Sequence, residues 1–189
     1  MTRRLRLALA ALTLTATVTS GMWLLAPAAQ AALTLGQRAP TFSVPGAQGG
    51  RRLTINLARE LRNGPVVIYF FPRAFTSGCT IESRAFAEAI PQFRAAGARV
   101  IGLSGDNVET LGRFSTQECR SAFPMGSANN ALMAQYDVSL REGISSRTSY
   151  VIARDGTIAH VHSDMNPNDH VRETLAAVQR LAAARRTRR

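Results

Sequence analysis

Val66-Val67-Ile68-Tyr69-Phe70-Phe71-Pro72-Arg73-Ala74-Phe75-Thr76-Ser77-Gly78-Cys79-Thr80 passes from six consecutive β-branched and aromatic residues into a Pro/Thr/Gly turn and then a cysteine. An unbroken apolar run of this length suits a strand covered on both faces, since a strand with one wet face would alternate. Proline ends it. Beyond the turn, Ile81, Phe86 and Ile90 recur at helical spacing and predict a helix over about 80–93. The cysteine is therefore expected in the first turn of a helix at the carboxyl end of a buried strand, where open α/β sheets place their sites. Free amide N–H groups and the helix dipole there favour an anion, and so a thiolate.

Outward from this stretch, 100–104 reads as a second short buried strand, 107–120 as a helix, 123–125 as a short extended piece and 131–136 as a short helix. Two strand-like runs, 148–153 and 157–162, flank Arg154-Asp155-Gly156 and predict a β-hairpin. Asn166 reads as the cap of a last helix, with Pro167 at its first position and Asp169 near the positive end of its dipole. Strand and helix periods alternate, which predicts an α/β layering with a sheet covered by helices. No repeat or linker divides the chain.

Composition narrows the chemistry. The chain has 189 residues, with 23 basic and 12 acidic side chains and two cysteines. Every basic residue is arginine, which excludes lysine Schiff bases, lysine general bases and a P-loop lysine. Two cysteines exclude a disulfide-dense scaffold and a four-thiolate metal site, and leave room for one thiol couple. The formal charge of +11 is concentrated at the ends: Arg3, Arg4 and Arg6, then Arg185, Arg186, Arg188 and Arg189. Between them, residues 32–184 carry a net of only +4, so no nucleic-acid partner is expected and 185–189 read as a solvated basic tail.

Residues 1–31 begin basic, continue apolar and end in Ala29-Gln30-Ala31, the small-x-small form of a cleavage site. They read as an export signal, with an uncleaved membrane anchor as the alternative. The mature chain is then expected to start at Ala32 and to work in the periplasm or outside the cell. There its thiols need a dedicated source of electrons.

The spacing Pro72-x-x-x-Thr76-x-x-Cys79 after a Val-Val-Ile-Tyr-Phe strand resembles the peroxiredoxins, and the run from Tyr69 to Glu82 resembles the peroxiredoxin Q, or bacterioferritin comigratory protein, branch. Gly36-x-x-Ala39-Pro40-x-Phe42, Ser104-x-Asp106, Phe123-Pro124, Tyr136-x-Val138, Arg147-x-Ser149-Tyr150-Val151-Ile152 and Asp155-Gly156 extend the resemblance over about residues 33–183. It implies a thioredoxin-like α/β fold, with a central mixed sheet flanked by helices, and a thiol peroxidase acting on hydrogen peroxide and alkyl hydroperoxides. By the same resemblance Cys79 is the peroxidatic cysteine, Pro72, Thr76 and Arg147 complete its site, and Glu82 orients an arginine. No metal, flavin or haem is implied, a thioredoxin-like or other thiol reductant is, and the chain is expected as a monomer or weak homodimer. The chemistry asks for the same groups. A thiolate attacking a peroxide needs donors that align the O–O bond and positive charge where the leaving oxygen becomes anionic. Arginine supplies that charge in a fixed fork of donors.

The pattern departs from the branch at the second cysteine. Five residues after Cys79 stands Arg84, and the alternative position in the next helix is Ser115. Cys119 lies four residues beyond Ser115, on the same face of a continuous helix, and is the candidate resolving thiol. The alternatives are a one-cysteine enzyme reduced by an external thiol and a redox sensor or thioredoxin-fold binding module without turnover. The absence of Cys-x-x-Cys argues against a general disulfide oxidoreductase. His160 and His162 share a strand face without a third ligand nearby in sequence. His170 reads as a surface residue, and Met125 and Met165 as packing residues.

Overall fold

The computed structural model describes residues 32–187, so the reading of 1–31 as an export signal or anchor lies outside the described residues, as do Arg188 and Arg189. In chain order the elements are β1 (Ser43–Gln48), β2 (Arg51–Asn56), α1 (Leu57–Leu61), β3 (Val66–Phe70), α2 (Ser77–Ala95), β4 (Arg99–Ser104), α3 (Val108–Gln117), β5 (Met125–Ser127), α4 (Asn130–Gln135), β6 (Ser139–Arg141), β7 (Ile144–Ser145), β8 (Thr148–Ile152), β9 (Ile158–Ser163) and α5 (His170–Thr187). Seven strands form one mixed sheet in the order β2-β1-β5-β4-β3-β8-β9, and β6 pairs with β7 alone. This is the α/β arrangement expected, a central mixed sheet flanked by helices.

The apolar run lies at the heart of the sheet. β3 pairs parallel with β4, from Val66 opposite Arg99 to Phe70 opposite Leu103, and antiparallel with β8, from Val66 opposite Ile152 to Phe70 opposite Thr148. Strand alternation then divides its side chains between two cores. Val66, Ile68 and Phe70 pack with Tyr136 and Tyr150 on one face. Val67, Tyr69 and Phe71 pack on the other with Phe86 and Phe93 of α2 and Ala177 and Val178 of α5. Burying a side chain of this size contributes roughly 1.5–3 kcal/mol.

Four features differ from expectation. The β1–β2 hairpin was not anticipated: β1 contains Pro45 and Gly46, weak strand formers, and its turn uses Gly49 (φ 57°) and Gly50 (φ 75°). The helix expected over 107–120 stops at Gln117, and Arg120 (φ 49°) and Ser121 (φ 55°) turn left-handed, so Cys119 does not continue the face of Ser115. The last helix starts at His170 rather than at Asn166 and Pro167. There the Asn166 amide donates to Asp164 Oδ1 at 2.9 Å and the Asn168 amide to Asn166 Oδ1 at 3.1 Å. Two successive Asx turns thus occupy the asparagine that was read as a cap. At the other end, Arg185 and Arg186 belong to α5 rather than to a separate tail.

Candidate active site

Cys79 is the third residue of α2, with Thr76 as its N-cap. The loop between β3 and α2 is tied to the end of the neighbouring strand. Asp106 Oδ2, just after β4, accepts from the Ala74 amide at 2.7 Å and from the Ser104 hydroxyl at 2.8 Å. Phe75 stands at φ 64°, a conformation that costs a non-glycine residue of order 1–3 kcal/mol. Its ring packs edge-on against Phe114 at 5.1 Å, which helps hold the loop there. Pro72 is half-buried and Thr76 exposed. The Thr76 hydroxyl donates to the Arg73 carbonyl at 3.0 Å, so in this state it faces the loop backbone instead of the sulfur.

Arg147, immediately before β8 and only 4% exposed, brings the distant partner to the cysteine. Its Nη2 donates to Cys79 Sγ at 3.5 Å, its Nε donates to the Met165 carbonyl at 3.0 Å, and its Nη1 pairs with Glu82 Oε2. Each guanidinium nitrogen is thereby fixed. The approach is close at Gly78, where a Cβ would stand 3.1 Å from Nη2. Burial opposes the guanidinium's charge, yet the Glu82 carboxylate and the Cys79 sulfur outweigh it and hold the Arg147 pKa above its ordinary value. Glu82 is fully buried, and burial pushes its pKa up to about 8 against the pull of Arg147. The fold thus brings Cys79, Arg147 and Glu82 together.

Behind Glu82 lies His170, which is fully buried rather than at the surface as its sequence position suggested. Its Nε2 lies 2.9 Å from the Asp164 carbonyl and its Nδ1 2.8 Å from the Ser149 hydroxyl. A carbonyl only accepts, so Nε2 carries the hydrogen. Burial lowers the His170 pKa to about 4, so Nδ1 is bare and takes the Ser149 hydrogen. Its partners come from β8, from the loop after β9 and from α2, none of them near in sequence. The only local hint was a polar residue placed where a helix turns inward. The His162 ring meets that of His170 edge-on at 4.5 Å, and His160 Nε2 lies 3.9 Å from Glu173.

Cys119 is not part of this arrangement. Among the described residues both cysteines are free, and Cys119 lies fully buried past the end of α3. Burial pushes its pKa up to about 12, against a hydrogen bond from Ser83. Ser83 stands four residues beyond Cys79 and so one turn further along α2; its hydroxyl also meets the Tyr69 phenol at 2.9 Å. Two ion pairs tie the Cys119 segment to the same helix, Arg84 with Glu118 at 2.5 Å and Glu88 with Arg120 at 3.7 Å. Arg84 therefore contacts the segment that carries Cys119.

Residues 35–161 match the model of the AhpC/TSA family. Among curated proteins, the chain is 30% identical over 154 residues to the chloroplastic peroxiredoxin Q of Sedum lineare, covering 80% of this chain and 81% of that one. It is 29% identical over 145 residues to peroxiredoxin Bcp of Escherichia coli strain K12, covering 73% and 90%. Among solved structures, peroxidoxin BcpB of Mycobacterium tuberculosis superposes with a TM-score of 0.71 at 28% identity, over 78% of this chain and 97% of that one. Peroxiredoxin Q of Xanthomonas campestris does so with a TM-score of 0.64 at 28% identity, over 74% and 91%.

Proposed function

The chain belongs to the AhpC/TSA family, whose peroxiredoxins are thiol peroxidases, and from that premise we propose that Cys79 is its peroxidatic cysteine. The observation that carries the reading is the Arg147 contact: a buried guanidinium, gripped from behind by Glu82, donates to Cys79 Sγ at 3.5 Å. A thiolate held there attacks the terminal oxygen of H2O2 or an alkyl hydroperoxide. The S–O bond forms as the O–O bond breaks. The leaving oxygen takes the electron pair and a proton, and departs as water or alcohol. Arg147 opposes the negative charge that moves from sulfur to oxygen, without giving up its own proton. Thr76 turns its hydroxyl from the Arg73 carbonyl to the peroxide, and Pro72 walls the site without offering an N–H donor.

The sulfenic acid left on Cys79 is then condensed with Cys119, which forms a disulfide and releases water. The Cys119 segment must first leave its buried place, with the Arg84–Glu118 and Glu88–Arg120 contacts opened. A thioredoxin-like dithiol restores both thiols. Export remains part of the proposal on the strength of Ala29-Gln30-Ala31, and N-terminal sequencing of the secreted protein tests it. A second reading, a one-cysteine enzyme reduced directly by an external thiol, is favoured by the depth of Cys119 and the upward shift of its pKa to about 12.

Stopped-flow oxidation followed by intact mass separates these readings in wild type, Cys79→Ser and Cys119→Ser. The proposal expects fast oxidation of Cys79, loss of two hydrogens in wild type, and a sulfenic adduct that persists only in Cys119→Ser. Oxidation no faster than that of a free thiol would sink the peroxidase reading. An undiminished catalytic cycle in Cys119→Ser with small thiols would establish the one-cysteine route.

A further inference from the structure

Behind Cys79 the site holds one fixed cation and two groups able to be anions. Arg147 donates both to Cys79 Sγ and to Glu82 Oε2, and cysteine, glutamate and arginine are all buried. Two anions on one cation would leave a net charge in a dry pocket, which is costly. The second oxygen of Glu82, Oε1, is buried without a hydrogen-bond partner and lies 3.5 Å from His170 Nδ1. Because His170 Nε2 gives its hydrogen to the Asp164 carbonyl and Nδ1 takes that of Ser149, an uncharged ring has no hydrogen to offer Oε1. The buried oxygen is then left without a donor unless the carboxyl carries a proton of its own. The other titratable groups facing the pair are Tyr69 from β3, held neutral by burial, His162 from β9, and Asp164 in the loop after β9.

Resting on the assignment of Cys79 as the reactive thiolate, we propose that Glu82, backed by His170, holds a proton while Cys79 is an anion. It releases that proton when oxidation removes the sulfur charge. In the peroxide step the sulfur gives up two electrons, the S–O bond forms, the O–O bond breaks, and the leaving oxygen takes the electron pair and one proton. The Glu82 proton leaves in the same step and offsets the one that the leaving oxygen takes. Glu82 then becomes the single anion on Arg147. The site returns the proton that the reaction consumes, and its charge stays constant through oxidation. The opposite shifts of the two groups, Glu82 up to about 8 and His170 down to about 4, place the resting proton on the carboxyl at neutral pH.

The chain has only seven glutamates, so 13C NMR of glutamate-labelled full-length protein can follow each side-chain carboxyl through a pH titration, with Glu82→Gln assigning the signal of interest. The reduced wild type is compared with Cys79→Ser, and with wild type methylthiolated at Cys79, which removes the sulfur charge without changing the sequence. The proposal expects the Glu82 midpoint to fall by at least about one pH unit, tenfold in acidity, in both charge-free forms. An equal midpoint with and without the sulfur charge overturns the proposal. The titration needs no peroxide, so failure of the peroxidase reading in stopped flow and failure of the Glu82 proton are seen in separate experiments.

Discussion

Cys79 stands in the first turn of a 19-residue helix with Arg147 Nη2 at 3.5 Å from its sulfur. Cys119 stands two residues beyond the end of a 10-residue helix, fully buried, with burial raising its pKa to about 12. Both belong to one apolar cluster with Tyr69, Phe86 and Phe123. What separates them is fixed charge. Arg147 sets a fixed cation against one sulfur, while burial in the core pushes the pKa of the other up. Cys79 therefore meets a fixed cation in the folded state described here, whereas the proposed part for Cys119 needs its segment to move first. Two features favour such a motion: Arg120 and Ser121 are non-glycine residues in left-handed conformations, and one of the two ion pairs to α2, Glu88 with Arg120, joins exposed side chains.

The sharpest way to break this comparison is to remove the reactive sulfur. Cys79→Ser is expected to abolish peroxide reduction, while Cys119→Ser leaves the first oxidation within about twofold of wild type; a stopped-flow trace in which the two variants fail alike would erase the distinction. Next in size is Arg147→Gln, which removes the charge facing the sulfur and keeps hydrogen-bonding capacity. By analogy with the loss of one preorganised donor, kcat/KM should fall about 10²–10³-fold. The same change should leave the reactivity of denatured protein toward alkylating agents unaltered, which ties the effect to the site.

The contrast between the cysteines also marks what could be read from sequence. Val66 to Phe71 and the hairpin around Asp155-Gly156 were legible because their signal lies in consecutive residues. The place of Cys79 followed from the strand and turn before it. Arg147 stands 68 residues from Cys79, and only family resemblance joined the two. His170 was misread because all of its partners are tertiary: Ser149, the Asp164 carbonyl and Glu82 reach it from three other parts of the chain. The end of α3 was misread for a different reason. A helix that stops left-handed ordinarily announces it with glycine or asparagine, and here arginine and serine take those conformations.

That misreading supplies a smaller test. Replacing Arg120 and Ser121 together by glycine relieves two left-handed residues, each by about 1 kcal/mol, but frees the unfolded chain and removes the Glu88 contact. The expected net is a Tm change of only a few degrees, with disulfide formation after oxidation altered several-fold and the first oxidation unchanged. Rapid-quench mass spectrometry reads the two steps separately. Equal effects on both steps would show that the Cys119 segment is coupled to the Cys79 site before any motion.

The smallest effect expected is on stability as a function of pH, and it distinguishes the two regions by window. Glu82 is raised from 4.5 to about 8, so the folded state binds its proton more tightly; that stability is complete below about 4.5 and is lost as pH rises toward 8. His170 is lowered from 6.5 to about 4, so its contribution is complete above 6.5 and is lost as pH falls toward 4. Between 4.5 and 6.5 the two slopes oppose each other, and a plateau in Tm should result. Above it, Tm declines from 6.5 to about 8 in wild type and stays level in Glu82→Gln. Cys119, raised from 9.0 to about 12, acts only at higher pH: its contribution begins to be lost near 9, before the phenol of Tyr69 titrates. Calorimetry from pH 4 to 10 on wild type, Glu82→Gln and Cys119→Ser should therefore show two separable declines, one removed by each substitution. A decline between 6.5 and 8 that persists in Glu82→Gln would place the proton elsewhere than on the carboxylate behind Arg147.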